Sequence, residues 1–242
     1  MEQYAKEITK RFVKPKHFRP VIAAGVDDTW GLDLADMAEW HASNEGYKYI
    51  LVVVDVFSRY AWCRALKTKD AKDVWDALQT ILDKQQPKHI WVDKGSEFYN
   101  KLWDAKLKAL DISRYSTYSD AKVSIAERFI RTLKTKIWFQ VIVRGTHKWI
   151  DLLQPIVETY NETKHSTIKM TPTEAREPYN EEALLDEIES PPLGKPKYKL
   201  GQWVRIHRMK GTFEKGFHPN FSYEIYKIVG IRVSQPVMYL LP

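Results

Sequence analysis

Three carboxylates, Asp33, Asp93 and Glu127, stand where a chain could use them to hold a metal ion. Asp33 falls inside Trp30-Gly31-Leu32-Asp33-Leu34, a strand-like run. A carboxylate in such a run is costly unless it is paired or bound to a cation. Asp36 lies an odd number of residues away and faces the other side of the strand. Glu39 has the right parity, but six residues at about 3.3 Å each put it roughly 20 Å along. Asp93 ends Ile90-Trp91-Val92-Asp93, and ligands bind at the carboxyl ends of strands in α/β sheets; a loop-forming role is its other reading. Glu97 caps or opens the next helix and is left out of the metal set. Asp55, ending a second strand, is the runner-up ligand, with a structural role in the Asp55–Arg59 turn preferred. An oxygen-only set of this kind suits hard cations such as Mg²⁺ or Mn²⁺.

Glu127 has two readings. Ser124-Ile125-Ala126-Glu127 fits a capping box, in which the glutamate ties down its own helix. Alternatively it is a ligand: Arg131 and Lys134, four and seven residues later, share its helix face. One helix would then offer a carboxylate with a cationic track for DNA phosphate beside it.

The elements that must position these groups follow from hydrophobic period. Trp30–Met37, Tyr47–Val56 and Tyr60–Leu66 read as three strands joined by short connections, hence an antiparallel meander. Asp70 can cap a helix carrying Val74, Trp75, Leu78, Ile81 and Leu82, which Pro87 ends. A strand at His89–Asp93, a helix at Phe98–Leu110 and a strand at Ile112–Thr117 follow, and helical crossovers imply parallel pairing. From about Ser124, Ile125, Phe129, Leu133, Ile137 and Val141 recur every fourth residue. His147–Asn161 is helical, and Thr171-Pro172-Thr173-Glu174 is a capping box with proline at the first helical position. This order predicts an α/β fold, a ribonuclease H-like mixed five-stranded sheet with helices on both faces. Its reading in domains is a basic N-terminal arm (1–28), the core (29–180), a linker (181–196) and a small SH3-like β-barrel (197–242) punctuated by Gly201, Gly211 and Gly216. The barrel shows only three convincing strands, so the natural protein is expected to continue by some 15–20 residues, or a partner to cover the open edge.

Charge has a location. Net charge is +7 over 242 residues. Residues 195–242 hold nine Lys/Arg against Glu214 and Glu224, and 9 − 2 = +7. Residues 1–20 carry six against two, a local +4. Basic ends around a balanced middle suggest polyanion-binding attachments. Cys63 is the one cysteine, which excludes a disulfide framework or a Cys-rich zinc module and reads as a core filler. No apolar run approaches a membrane span and no signal region opens the chain, so no membrane partner is expected.

Six pieces, in order, resemble the D,D,E integrase family of retroviruses, retrotransposons and Maverick/Polinton transposons, with wording closest to the last group. They are Trp30-Gly31-Leu32-Asp33; Val52–Arg59; Val92–Phe98; Ala126–Lys134; Tyr160-Asn161 with His165-Ser166; and Thr171-Pro172. Gly201–Ile206 and Phe213–Phe217 resemble that family's SH3-like DNA-binding tail. Departures exist: 33 residues separate Asp93 and Glu127, slightly fewer than in retroviral members, and Val123 stands where several relatives carry glutamine. The family's His-His-Cys-Cys zinc module cannot form.

The resemblance implies that Asp33, Asp93 and Glu127 are catalytic and hold two Mg²⁺ or Mn²⁺ ions. It implies cleavage near the 3′ ends of a mobile element's DNA, then attack of the freed 3′-hydroxyl on target DNA. Element-end DNA and target DNA are the implied partners, with a dimer of cores and a tetramer on DNA. Tyr118, Lys122, Arg131, Lys134, Arg205, Arg208, Lys210, Lys215 and Lys227 are the candidate DNA contacts. Action in the nucleus is expected in a eukaryotic host, and otherwise in the cytoplasm or a particle. The rivals are a ribonuclease H-like nuclease or junction resolvase, and a domesticated non-catalytic DNA-binding protein.

Overall fold

The computed structural model describes residues 2–11, 23–116, 124–188, 195–208, 219–233 and 237–242. It divides into two compact units, Val21–Glu189 and a second made of Met1–Pro20 with Ser190–Pro242.

The larger unit is built on a five-stranded sheet of order β3-β2-β1-β4-β5. Strands β1 (Thr29–Asp36), β2 (Tyr49–Asp55) and β3 (Ala61–Leu66) form the expected antiparallel meander. Strands β4 (His89–Trp91) and β5 (Ser113–Tyr115) add in parallel beside β1. Helix α2 (Ala71–Leu82) provides the first crossover and α3 (Lys101–Ala109) the second. Helices α4 (Ser124–Arg144), α5 (Leu153–Asn161) and α6 (Pro178–Ile188) follow.

Strand alternation sorts the core into two layers. Ile50, Val52 and Val54 face α4 and α5, packing with Ile125, Phe129, Leu133, Ile137 and Val157. Leu51, Val53, Trp30, Leu32 and Ile90 face the other way, onto Val74, Leu78, Trp103 and Leu107 of α2 and α3. Ile50–Val54 of β2 is apolar at every position because helices cover both faces of the sheet. All five apolar residues expected at fourth-residue spacing on α4 are buried. Cys63 is buried filler too, and burial pushes its thiol pKa well up.

Several expected starts move for local reasons. Asp70 precedes α2 but makes no side-chain cap; Asp73 instead accepts from Thr68 Oγ1 at 2.6 Å. Helix α3 begins at Lys101 rather than Phe98, because Asn100 caps it through Trp103 N at 3.1 Å. Helix α5 begins at Leu153 rather than His147, after turns pinned by the buried Asn44, whose Oδ1 accepts from Trp149 N (2.7 Å) and Ile150 N (3.1 Å). The Thr171–Glu174 box forms reciprocally: Thr171 N donates to Glu174 Oε2 (2.8 Å) and Glu174 N to Thr171 Oγ1 (3.1 Å).

The smaller unit holds α1 (Glu2–Thr9), β6 (Trp203–Val204), β7 (Tyr226–Lys227), β8 (Gly230–Arg232) and β9 (Met238–Leu240). Its strands pair as two antiparallel ladders, β6 with β7 and β8 with β9, plus a bridge between His207 and Phe221. A closed SH3-like barrel is not present among the described residues. Helix α1 belongs to this unit rather than leading into the core: Asn220 N donates to Ile8 O (2.8 Å), and Arg205 Nε to Glu7 (3.2 Å).

Candidate active site

The ladder that places the two aspartates is parallel. Strand β1 pairs β4 with Trp30 opposite Ile90 and Gly31 opposite Trp91. Asp33 and Asp93 each lie two residues beyond the last pair of that ladder, and β4 itself ends at Trp91. By parity, Asp33 shares its face with Gly31 and Ala35, and Asp93 with Trp91; Ala35 and Trp91 pack in the layer beneath α4. Both carboxylates therefore belong to the α4 side of the sheet. Asp33 is half-buried and accepts from Leu34 N at 2.8 Å. Asp93 is exposed and accepts from Gly95 N at 3.0 Å. A Cβ at Gly95 would meet the Glu97 carboxylate at 2.5 Å, so that side chain would have to swing aside.

Glu127 is exposed in the first turn of α4. Two contacts give the helix its direction. Lys134 Nζ donates to Asp36 O at 2.8 Å, and the Trp138 ring stacks on Trp40 with centroids 5.3 Å apart. Helix and strand thus advance together. Seven residues back from Lys134 is about 10 Å along the helix, and three back from Asp36 is about 10 Å along the strand. Counted this way, Glu127 precedes Lys134 on α4 in the sense in which Asp33 precedes Asp36 on β1. Among the described residues no three His, Cys, Asp or Glu side chains are close enough together to hold an ion. The donor chemistry nonetheless fits a hard divalent cation, because Asp33 on β1, Asp93 just past the end of β4 and Glu127 on α4 supply oxygen ligands only. The Ser124 half of the expected capping box lies outside the described side chains.

Asp55 is set apart from this group. It pairs opposite Trp30 on the α2/α3 face and is fully buried. Its Oδ2 accepts from Ser58 N at 3.0 Å and from Ser58 Oγ, and Arg176 stands 3.9 Å away. Burial raises its pKa to about 6 against these Ser58 hydrogen bonds. The turn it closes places Arg59 at φ +64°.

Of the candidate DNA contacts, Arg131 and Lys134 are exposed on the Glu127 face of α4. Tyr118, Lys122, Lys210 and Lys215 lie outside the described residues. In the smaller unit Arg208 and Lys227 are exposed, the latter over the Trp203 ring at 6.0 Å. Arg205 is committed to its own fold: it binds Glu7, Ser222 O (3.1 Å) and Tyr223 O (2.7 Å), and lies over Tyr4.

Some motif residues act as scaffold. Asn161 accepts from Ala61 N (2.9 Å) and donates to Ala61 O (3.0 Å), tying α5 to β3. Tyr160 packs edge-on against Phe129 at 4.6 Å. The sequence reading missed two features. Arg176 clamps Asp27 through both nitrogens, at 3.1 and 2.8 Å, a pairing 149 residues apart that no local pattern signals. The Trp40–Trp138 stack was equally hidden, because each tryptophan alone reads as core.

Residues 27–118 match the model of the integrase core domain. The chain is 29% identical over 193 residues to an uncharacterized transposon-derived protein of Caenorhabditis elegans, covering 78% of this chain and 65% of that one. It is 28% identical over 134 residues, 53% of this chain, to the Pro-Pol polyprotein of feline foamy virus, of which it covers 11%. The chain thus spans less than two thirds of either relative. Among solved structures, the catalytic core domain of HTLV-2 integrase in complex with magnesium superposes with a TM-score of 0.54 at 17% identity, covering 64% of this chain and 99% of that one. An intasome of simian T-cell lymphotropic virus, in complex with a PP2A regulatory subunit, does so with a TM-score of 0.66 at 13% identity, covering 98% and 83%. Residues 27–118 thus match an integrase core domain, and the chain is similar to a transposon-derived protein and to retroviral Pol polyproteins.

Proposed function

We propose that this chain is an integrase that trims the 3′ ends of a mobile element's DNA and joins them to target DNA by phosphodiester transfer. The observation that supports this reading is the parallel β1–β4 ladder, whose last pair, Gly31 with Trp91, stands two residues before Asp33 and Asp93 on the face covered by α4. Asp33, Asp93 and Glu127 would hold Mg²⁺ or Mn²⁺, two ions in all. Bound there, such ions supply Lewis acidity for activating a nucleophilic oxygen and for stabilising the departing one.

The remaining work falls to the protein. Strand β1 carries Asp33, and Asp93 follows two residues after β4 ends, so the sheet limits the drift of the first directly and of the second through a short tether. Arg131 and Lys134 offer cations along the same helix face, where backbone phosphates position a duplex without reading its sequence. The basic tail adds sequence-independent attraction, with Arg208 and Lys227 among its described exposed cations. An SH3-like barrel completed outside the described residues, a dimer of cores, a tetramer on DNA and nuclear action in a eukaryotic host belong to the same proposal.

The test is incubation of the full chain with a duplex bearing the element's terminal repeat and a supercoiled target plasmid, in Mg²⁺, Mn²⁺ or EDTA. Metal-dependent 3′-end trimming followed by joined product supports an integrase. Metal-dependent cutting without joining would instead support the nuclease reading, and DNA binding without either reaction a non-catalytic one.

A further inference from the structure

A groove of about 560 Å³ runs between the end of β1 and helix α4, lined by Asp36, Met37, Glu39, Trp40, Lys134 and Trp138 among others. Trp138 is half exposed, at 50%, and its ring lies nearly parallel to that of Trp40, 19° apart. Trp40 is fixed from behind. Its ring also contacts His147 at 5.3 Å, and the fully buried Asn44 donates to both Trp40 O (2.7 Å) and His147 O (2.9 Å). The stack is therefore a preset surface, held before any ligand arrives.

Its position gives it meaning. Glu127, Arg131, Lys134 and Trp138 fall at i, i+4, i+7 and i+11, one stripe of α4. Trp138 sits about 16 Å along the helix from Glu127. Lys134 lines the groove on the side toward the candidate site, and its ammonium, which donates to Asp36 O, carries three hydrogens.

We infer that the Trp40–Trp138 groove is a stacking site for an unpaired nucleobase of a single-stranded DNA end. This deepens the integrase reading and rests on it. A nucleobase offers a flat π-face to Trp138, and base–aromatic stacking tolerates any sequence. The carboxylates of Asp36 and Glu39 repel phosphate but accept hydrogen bonds from exocyclic amino groups. The backbone would therefore pass on the Lys134 and Thr135 side, with the base turned inward. Continuity with the Glu127–Arg131 stripe, and a cation on the wall nearest it, select nucleic acid over an apolar protein partner.

The probe is a duplex with a five-nucleotide single-stranded overhang containing 2-aminopurine, whose fluorescence is quenched by stacking. Binding the full wild-type chain should quench it. Trp138→Ala should relieve the quenching and weaken overhang binding about 5- to 100-fold, the span expected for one stacked base, while Trp138→Phe should retain most of both. Circular dichroism on each variant checks the fold. Equal quenching in wild type and Trp138→Ala, or none in either, overturns the inference. So does loss of self-association in Trp138→Ala with unchanged quenching, which would make the groove a contact between copies of the chain. Wild-type cleavage of a blunt duplex in Mg²⁺ separates the two readings: cleavage without quenching removes the groove alone, and quenching without cleavage removes the integrase function alone.

Discussion

At the scale of single residues, parity decides which carboxylates work together. Asp33 and Asp55 lie on adjacent strands, yet one faces α4 and the other is buried on the α2/α3 side. Asp55 serves its turn, and burial raises its pKa to about 6, above the ordinary 3.8. Its folded form holds a proton more tightly than its unfolded form. The resulting stability is fully present below about pH 3.8, and is lost as pH rises through about 6. At 1.36 kcal/mol per unit this amounts to about 3 kcal/mol across the window. Asp55→Asn should flatten that component, so urea melts of wild type and variant should diverge between pH 4 and pH 6.5. Parallel curves would show that Asp55 does not titrate in this range. The opposite facing of Asp33 and Asp36 was legible in the sequence, because strand alternation is local. Arg176, which stands beside both Asp27 and Asp55, was not, because only the closed fold brings it there.

Among the elements, α4 was the most legible, since its five buried apolar residues keep one period for four turns. Starts of helices were less so. Asn100 and Asn44 set them through side-chain bonds to backbone groups, one nearby and one over 100 residues away. The same chemistry ties β3 to α5 through Asn161, whose side chain satisfies both polar groups of Ala61. Asn161→Ala would leave a buried N–H and C=O unpaired, at about 1–3 kcal/mol for each group left unsatisfied. We expect a clear drop in the urea midpoint with an unchanged slope. A variant as stable as wild type would mean that water replaces the amide at little cost.

For the whole molecule, charge and fold are divided between two units. Residues 195–242 carry a net +7, equal to that of the whole chain. Removing them should lower duplex affinity and flatten its dependence on salt, since fewer counterions are released on binding. An unchanged salt slope in a binding titration would place the phosphate contacts elsewhere. This unit was the least legible part of the fold. Its ladders are only two or three residues long, and α1 joins them from the far end of the sequence. The central claim, however, concerns the larger unit: Asp33, Asp93 and Glu127 act as one metal-dependent site. Its most direct test is strand transfer by Asp33→Asn, Asp93→Asn and Glu127→Gln, each measured in Mg²⁺ beside wild type, with DNA binding and circular dichroism as controls. Loss of joining by at least about 100-fold in all three, with binding and fold retained, is the predicted result. Near-normal joining by Glu127→Gln would contradict it and leave that glutamate as a helix cap.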